Sequence, residues 1–160
     1  ICSLPVRNRA TLGGNLVNAS PIADLAIYFL ALNAELHTNL RTLALHHFFL
    51  GYKTVDLKPG EQILEISFQQ AAAQSFSYEK VSKRMHLDIA SVNSAMLIQE
   101  QAGKISKVHL SAGGVAPFPL YLAKTCAYLV GQNVCLETVK TAAEIALSEI
   151  APNSDTRGAA

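Results

Sequence analysis

Two long strand-like stretches separated by a short turn constrain this chain more than any other feature. Ile89 to Gln99 and Ile105 to Ala112 both read as extended, and Ala102-Gly103-Lys104 turns the chain between them, so the pair forms an antiparallel hairpin. Ahead of it, Phe76 to Ser82 alternates aromatic and polar side chains, the period of a strand with one covered face. Gly113-Gly114-Val115-Ala116-Pro117 breaks the sheet. Pro119 to Leu129 and Leu136 to Ile150 then read as helices, the second with apolar Val139, Ala143, Ala146, Leu147 and Ile150. Strands followed by helices give an α+β fold, with an antiparallel sheet of about three strands and helices packed on one face.

The first half has a different rhythm. Ser20 is a good N-cap and Pro21 stands where proline favours a first helical position. Ile22, Leu25, Ala26, Phe29 and Leu30 recur at helical spacing, which predicts a helix to about Leu32. Ala23, Ile27 and Ala31 fill the other side, so this helix is buried nearly all round. Ala34 to Thr38 and Arg41 to Leu45 are short strands around Asn39-Leu40, and His46 to Leu50 is a helical turn ended by Gly51. After the turn Lys58-Pro59-Gly60, Glu61 to Phe68 reads as a strand, with Ile63, Glu65 and Ser67 alternating against Leu64, Ile66 and Phe68. Gln69 to Ser75 is small and polar and serves as a linker, dividing the chain into residues 1–70 and 75–160.

Composition removes several function classes. A net charge of +1 offers no electrostatic argument for nucleic acid or an anionic membrane. The longest clear apolar run, Leu25 to Leu32, is far short of the roughly 20 residues of a spanning helix. Cys2, Cys126 and Cys135 are odd in number and lack metal-ligand spacing, so they read as buried or free thiols of a reducing, cytoplasmic setting, with no metal site. Asn18-Ala19-Ser20 matches a glycosylation acceptor, but nothing else points to secretion. His46, His47 and His109 show no partner pattern and are structural, while Lys83, Arg84 and His86 read as a solvated loop. Charged residues make up 16% of the chain, against roughly 25% in typical domains. Part of the surface is therefore expected to lie under another domain or subunit.

The chemistry-bearing stretch is Val6-Arg7-Asn8-Arg9-Ala10-Thr11-Leu12-Gly13-Gly14-Asn15-Leu16. Gly13 and Gly14 remove side chains so that a ligand can approach the backbone, Thr11 offers a hydroxyl, and Asn15 both donates and accepts. The helix expected from Pro21 aims free N–H groups at whatever precedes it. The spacing matches neither the Rossmann fingerprint nor a P-loop. On the residues alone, a nucleotide-type ligand and a purely structural turn both fit.

The stretch from Pro5 to Asn15 resembles the second FAD-binding segment of the molybdenum hydroxylase flavoproteins, the family of xanthine dehydrogenases and of the flavoprotein subunit of carbon monoxide dehydrogenases. The resemblance continues through Ser20-Pro21-Ile22-Ala23-Asp24-Leu25, Phe48-Phe49-Leu50-Gly51-Tyr52 and Glu61-Gln62-Ile63-Leu64. It extends through Phe76-Ser77-Tyr78-Glu79-Lys80, Asp88-Ile89-Ala90-Ser91-Val92-Asn93 and Gly113-Gly114-Val115-Ala116-Pro117. Its wording is nearest the bacterial xanthine dehydrogenase branch, in whose small subunit a [2Fe-2S] domain precedes the flavin domain.

The resemblance implies a role for each matched residue. Thr11, Leu12, Gly13, Gly14 and Asn15 fall where the family holds FAD with backbone amides and short polar side chains. Asp24 matches an acidic FAD contact and is expected to accept hydrogen bonds from ribityl or ribose hydroxyls, besides stabilising the first turn of its helix. Leu64 falls where an apolar side chain covers one flavin face, and Ile1 where a side chain lies against the ring system. Lys80 matches a lysine at the FAD, set to stabilise negative charge on a reduced flavin or on the pyrophosphate; a solvated strand residue is the alternative.

The implied function is to hold FAD that passes electrons from iron–sulfur centres to NAD, with no residue here acting as catalytic acid or base. The complete enzyme would use [2Fe-2S] clusters, the molybdenum cofactor and NAD, and would oxidise a purine at a molybdenum-binding large subunit. The family's glycine-rich pyrophosphate loop and its iron–sulfur cysteines are not found in this sequence. The terminal Asp155-Thr156-Arg157-Gly158-Ala159-Ala160 resembles the family's run into a final helix. The chain is thus expected to be a piece, inactive alone, whose partners are upstream FAD-binding and [2Fe-2S] segments. The alternatives are the FAD subunit of a hydroxylase acting on CO, nicotinate or an aldehyde, and an interaction module that binds no flavin by itself.

Overall fold

A computed structural model describes residues 3–70, 74–84 and 89–152. The expectations placed on Ile1, Cys2, His86, Asp88 and Asp155 to Ala160 lie outside the described residues. The chain opens with two short helices, α1 (Leu4–Arg7) and α2 (Leu12–Val17). The glycine pair is not a loop: Gly13 and Gly14 lie in the first turn of α2, whose N-cap Thr11 accepts the Gly14 N–H at 3.0 Å. The next helix, α3 (Asp24–Ala31), starts three residues later than Ser20-Pro21 signals. Ser20 caps nothing, because residues 20–23 form a turn closed by the Ala23 N–H on the Ser20 carbonyl at 3.0 Å. The Pro21 carbonyl is taken by the Gly114 N–H at 2.9 Å, so this stretch is held by a distant strand rather than by the helix. As its composition demands, α3 is buried along most of its length.

Strands β1 (Glu35–Thr38) and β2 (Thr42–Ala44) form the expected pair, and β1 also pairs with the later β5 (Ile63–Ser67). Between them a 3-10 turn covers only Leu45–His47, because β3 (Phe49–Gly51) claims the rest of the expected helical turn by pairing with β4 (Thr54–Val55). Arg41 braces the turn that leads into β5. Its guanidinium donates to both oxygens of buried Glu61 at 2.9 and 3.2 Å and to Asp56 Oδ2 at 3.0 Å. The Lys58 N–H and the Thr38 hydroxyl also donate to Glu61, each at 2.8 Å.

The second sheet has four strands, not about three, in the order β6 (Gln74–Ser82), β7 (Ala90–Gln101), β8 (Lys104–Gly113), β9 (Leu120–Tyr121). The hairpin turns at Ala102 and Gly103, both with positive φ (51° and 78°), which suits the twist of two antiparallel strands joined by a two-residue turn. Of the linker expected over Gln69 to Ser75, residues 71–73 lie outside the described residues, and Gln74 and Ser75 already belong to β6. The helix expected from Pro119 is preceded by β9, because Leu120 and Tyr121 pair with Ala112 and Ser111; α4 then covers Ala123–Leu129 and α5 covers Leu136–Glu149.

Strand alternation gives the sheet two covered faces. Met96, Ile98, Val108 and Leu110 pack with Cys126, Leu129 and Ala142 of α4 and α5, so these helices do share one face. Phe76, Tyr78 and Ala95 point the other way and join the core built on α3. The two halves of the chain therefore share a core. Small side chains let α3 lie close: Ser111, wholly buried, donates its hydroxyl to the Ile27 carbonyl at 2.7 Å. In α5, Thr138 and Ala142 point inward, while Leu136 and Leu147 stay 70% and 67% exposed, so much of its apolar stripe faces outward. Among the described residues, no helix is long and apolar enough to cross a membrane, and no group of three or more His, Cys, Asp or Glu could hold a metal.

Among the described residues, His46 and His109 meet at Tyr121. His46 stacks on Tyr121 at 5.2 Å, and the Tyr121 hydroxyl meets His109 Nδ1 at 2.7 Å. Burial, helped by Lys107 and His46, pushes His109 from its ordinary 6.5 down to about 4. The Arg41 hydrogen bonds, then the Lys58 N–H, bring Glu61 from 4.5 down to about 2. In both cases the unfolded chain binds the proton more readily, so acid favours unfolding. The His109 contribution is complete above 6.5 and lost as pH falls toward 4; that of Glu61 is complete above 4.5 and lost toward 2. Thermal unfolding across this range will show stability falling through both windows. Glu61→Gln will unfold several degrees below wild type at about pH 6, and the gap will narrow below about pH 3.

Candidate functional site

The first turn of α3 and the face of the second sheet meet at one carboxylate. Asp24 heads α3, where a negative charge complements the helix dipole. Its Oδ2 receives the Lys80 ammonium at 2.6 Å, and its Oδ1 receives the Tyr78 hydroxyl and Asn93 Nδ2, each at 2.8 Å. Strand period explains the convergence: Tyr78 and Lys80, two apart on β6, share the face that meets α3. Asn93 stands beside them on β7, paired in register with Lys80. The Lys80 and Asp24 side chains keep only 13% and 10% of their surface exposed, so the ion pair sits at the edge of the core. A charge buried this far is stable only with several partners, and Asp24 has three.

Gly113 and Gly114 allow this approach. A Cβ on Gly113 would run into Asn93 Oδ1 and come within 2.9 Å of the Pro21 carbonyl oxygen. Gly114 has φ +82° and leaves no room for a side chain beside the Ser91 carbonyl. Asn93, 1% exposed, is fixed in orientation, because only its amide nitrogen can face a carboxylate; its Oδ1 is left without a hydrogen-bond partner against Gly113.

The glycine pair lies on the preceding helix, α2, which packs on α3. Nothing lies within 4 Å of the position where Gly13 would carry a Cβ, so the backbone there is open to approach. Asn15 Oδ1 is buried with no hydrogen-bond partner. Exposed apolar Leu4, Val6, Leu12 and Val17 surround these positions in sequence.

Two family descriptions match the chain: the FAD binding domain in molybdopterin dehydrogenase over residues 1–68, and the CO dehydrogenase flavoprotein C-terminal domain over residues 77–160. The chain belongs to the molybdenum hydroxylase flavoproteins. Xanthine dehydrogenase 1 of Arabidopsis thaliana is 33% identical over 165 residues, covering 96% of this chain and 12% of that protein. The glyceraldehyde dehydrogenase medium chain of Sulfolobus acidocaldarius is 30% identical, covering 99% of this chain and 57% of its own length. Among solved structures, the carbon monoxide dehydrogenase of Hydrogenophaga pseudoflava superposes with a TM-score of 0.91 at 29% identity, over 99% of this chain and 56% of that one. The chain thus spans about a tenth of the xanthine dehydrogenases and just over half of the medium chains it matches.

In this flavoprotein the structure joins Asp24 to Lys80 directly and sets Leu12, Gly13, Gly14 and Asn15, with Thr11 as N-cap, on a helix that packs on α3. Leu64 stands elsewhere, in the three-stranded sheet. It is the extra residue of a bulge between Ile63, opposite Thr38, and Glu65, opposite His37, and the bulge turns its side chain out, 67% exposed. The N-terminus of α3 carries its own negative charge, Asp24, in its first turn, and that carboxylate faces the strands rather than capping the helix. Sequence reasoning missed Tyr78 and Asn93. The signal was present: Tyr78 shares the strand face of Lys80, and Asn93 is an amide inside an apolar strand. Gly113→Ala is expected to cost about 1–3 kcal/mol through overpacking against Asn93 and Pro21, read from denaturant unfolding.

Proposed function

We propose that this chain forms one wall of the FAD site of a xanthine dehydrogenase-like molybdenum hydroxylase, the rest of the site coming from outside residues 1–160. The observation that carries this reading is the Asp24–Lys80 contact at 2.6 Å, which unites the two charged positions matched to the family's FAD contacts at the seam between the two halves. The residues present fit the cofactor. The open backbone at Gly13 and the unpartnered Asn15 Oδ1 suit a ligand that brings both bulk and donors.

FAD held here would supply two-electron redox chemistry between iron–sulfur centres and NAD. The chain's own residues bind and orient. Thr11 accepts the Gly14 N–H and still has its hydroxyl proton to donate. Asp24 Oδ2 keeps an acceptor position beside Lys80 for a ribityl or ribose hydroxyl. The Lys80 cation would set positive charge against the pyrophosphate or a reduced ring, and Leu64, although it stands in the other sheet, would offer an exposed apolar side chain to one flavin face, the role the resemblance also gives to Ile1. None of these groups needs to move a proton. Purine oxidation, the [2Fe-2S] clusters, the molybdenum-binding large subunit and a cytoplasmic setting belong to the complete enzyme under this reading. A hydroxylase acting on CO, nicotinate or an aldehyde would use the same wall.

The exposed apolar side chains of α1 and α2 favour a second statement about the isolated chain: it is an interaction module that binds flavin only when that face is covered. FAD titrated into the purified chain, and into the complete protein stripped of flavin, separates the readings by fluorescence quenching. Binding is expected in the complete protein, and Asp24→Asn there is expected to weaken it roughly tenfold. A complete protein that does not take up FAD would overturn the proposal.

A further inference from the structure

We infer that Tyr78 is a positioning residue for the cofactor wall: its hydroxyl holds Asp24 so that one carboxylate oxygen stays available beside Lys80. This rests on the FAD reading above and assigns a role to a residue that does not itself touch the cofactor.

The argument starts from the acceptor capacity of a carboxylate. Each oxygen accepts about two hydrogen bonds. Tyr78 and Asn93 fill Oδ1 from β6 and β7, at 2.8 Å each, which leaves Oδ2 with the Lys80 ammonium at 2.6 Å and one further position. Without the phenol, Asn93 alone would hold Oδ1. The carboxylate would then be free to turn about its side-chain bonds and present both oxygens to the lysine, consuming the position a cofactor hydroxyl needs. Tyr78 therefore keeps the ion pair from closing on itself.

The tyrosine is well placed for this role. Its ring is clamped against Tyr28, with centroids 6.2 Å apart, and its strand position is fixed by pairing with Ala95. Lys80 follows two residues later on the same strand face, so the hydroxyl and the ammonium approach the carboxylate from one rigid element. Helix α3 brings the carboxylate and β7 the amide, so the geometry depends on elements from both halves of the chain.

Tyr78→Phe keeps the ring and removes only the hydroxyl, so the fold is expected to survive, with an unfolding midpoint lower by a few degrees. In the complete protein stripped of flavin, Tyr78→Phe is expected to weaken FAD binding roughly tenfold, the effect of denying a cofactor hydroxyl its acceptor on Asp24. The same substitution made in a Lys80→Met background is expected to change FAD affinity little, because no ion pair remains to close; the Asp24→Asn background should be equally silent. Wild-type affinity in the single variant, or a tenfold loss that persists in both backgrounds, would sink the inference. Failure of the parent protein to bind FAD is a different result and strikes the function proposed above.

Discussion

The carboxylate of Asp24 is where the two halves of this molecule are tied together by charge. It begins a helix of the first half and takes all three of its described donors from strands of the second. An ion pair so little exposed is not a source of stability by itself, since removing both charges from water offsets much of their attraction. Its value lies in orientation. With a phenol and an amide on one oxygen and an ammonium on the other, the helix start has a fixed position relative to the sheet.

Close approach makes the tie possible, and small residues make the approach possible. Ser111 and Gly113 on β8 and Ala95 on β7 leave room for α3, and Gly114 clears the way for its N–H to reach the Pro21 carbonyl. The opposite face of the sheet is filled by Met96, Ile98, Val108 and Leu110 against α4 and α5. The long strands are consequently covered on both sides, and β7 runs apolar from Ala95 to Ile98. Among their polar residues, Asn93 and Ser111 bond to α3 or to the turn that precedes it.

Much of this was legible beforehand. Gly103 announced the hairpin because a positive-φ turn position asks for glycine, although Ala102 takes φ 51° despite its Cβ, and the buried character of α3 followed from apolar residues on every side. The start of α3 was misread because Ser20-Pro21 has the local chemistry of a helix start, whereas the Pro21 carbonyl is claimed by Gly114, far away in sequence. The strand at Leu120–Tyr121 was hidden for a similar reason, since its extended form comes from pairing with β8. In the site, Asp24 and Lys80 were recognised through family resemblance, but that they bind each other depends on tertiary placement. Tyr78 and Asn93 escaped notice because their roles exist only once β6, β7 and α3 come together.

The shared core also has a consequence for the order in which the molecule can form. Helix α3 is made before the strands it lies on, which are complete only after Gly113. The first half can cover part of it with Leu36, Leu45 and Phe48, but the side that meets the second sheet must wait, and the contacts that settle it span 54 to 84 residues of sequence. Long-range contacts of this kind make folding slow and leave apolar surface open to misassembly on the way. The two family segments, although separable by description, are therefore poor candidates for folding one after the other, and a chain cut between them would leave each half short of its hydrophobic partner.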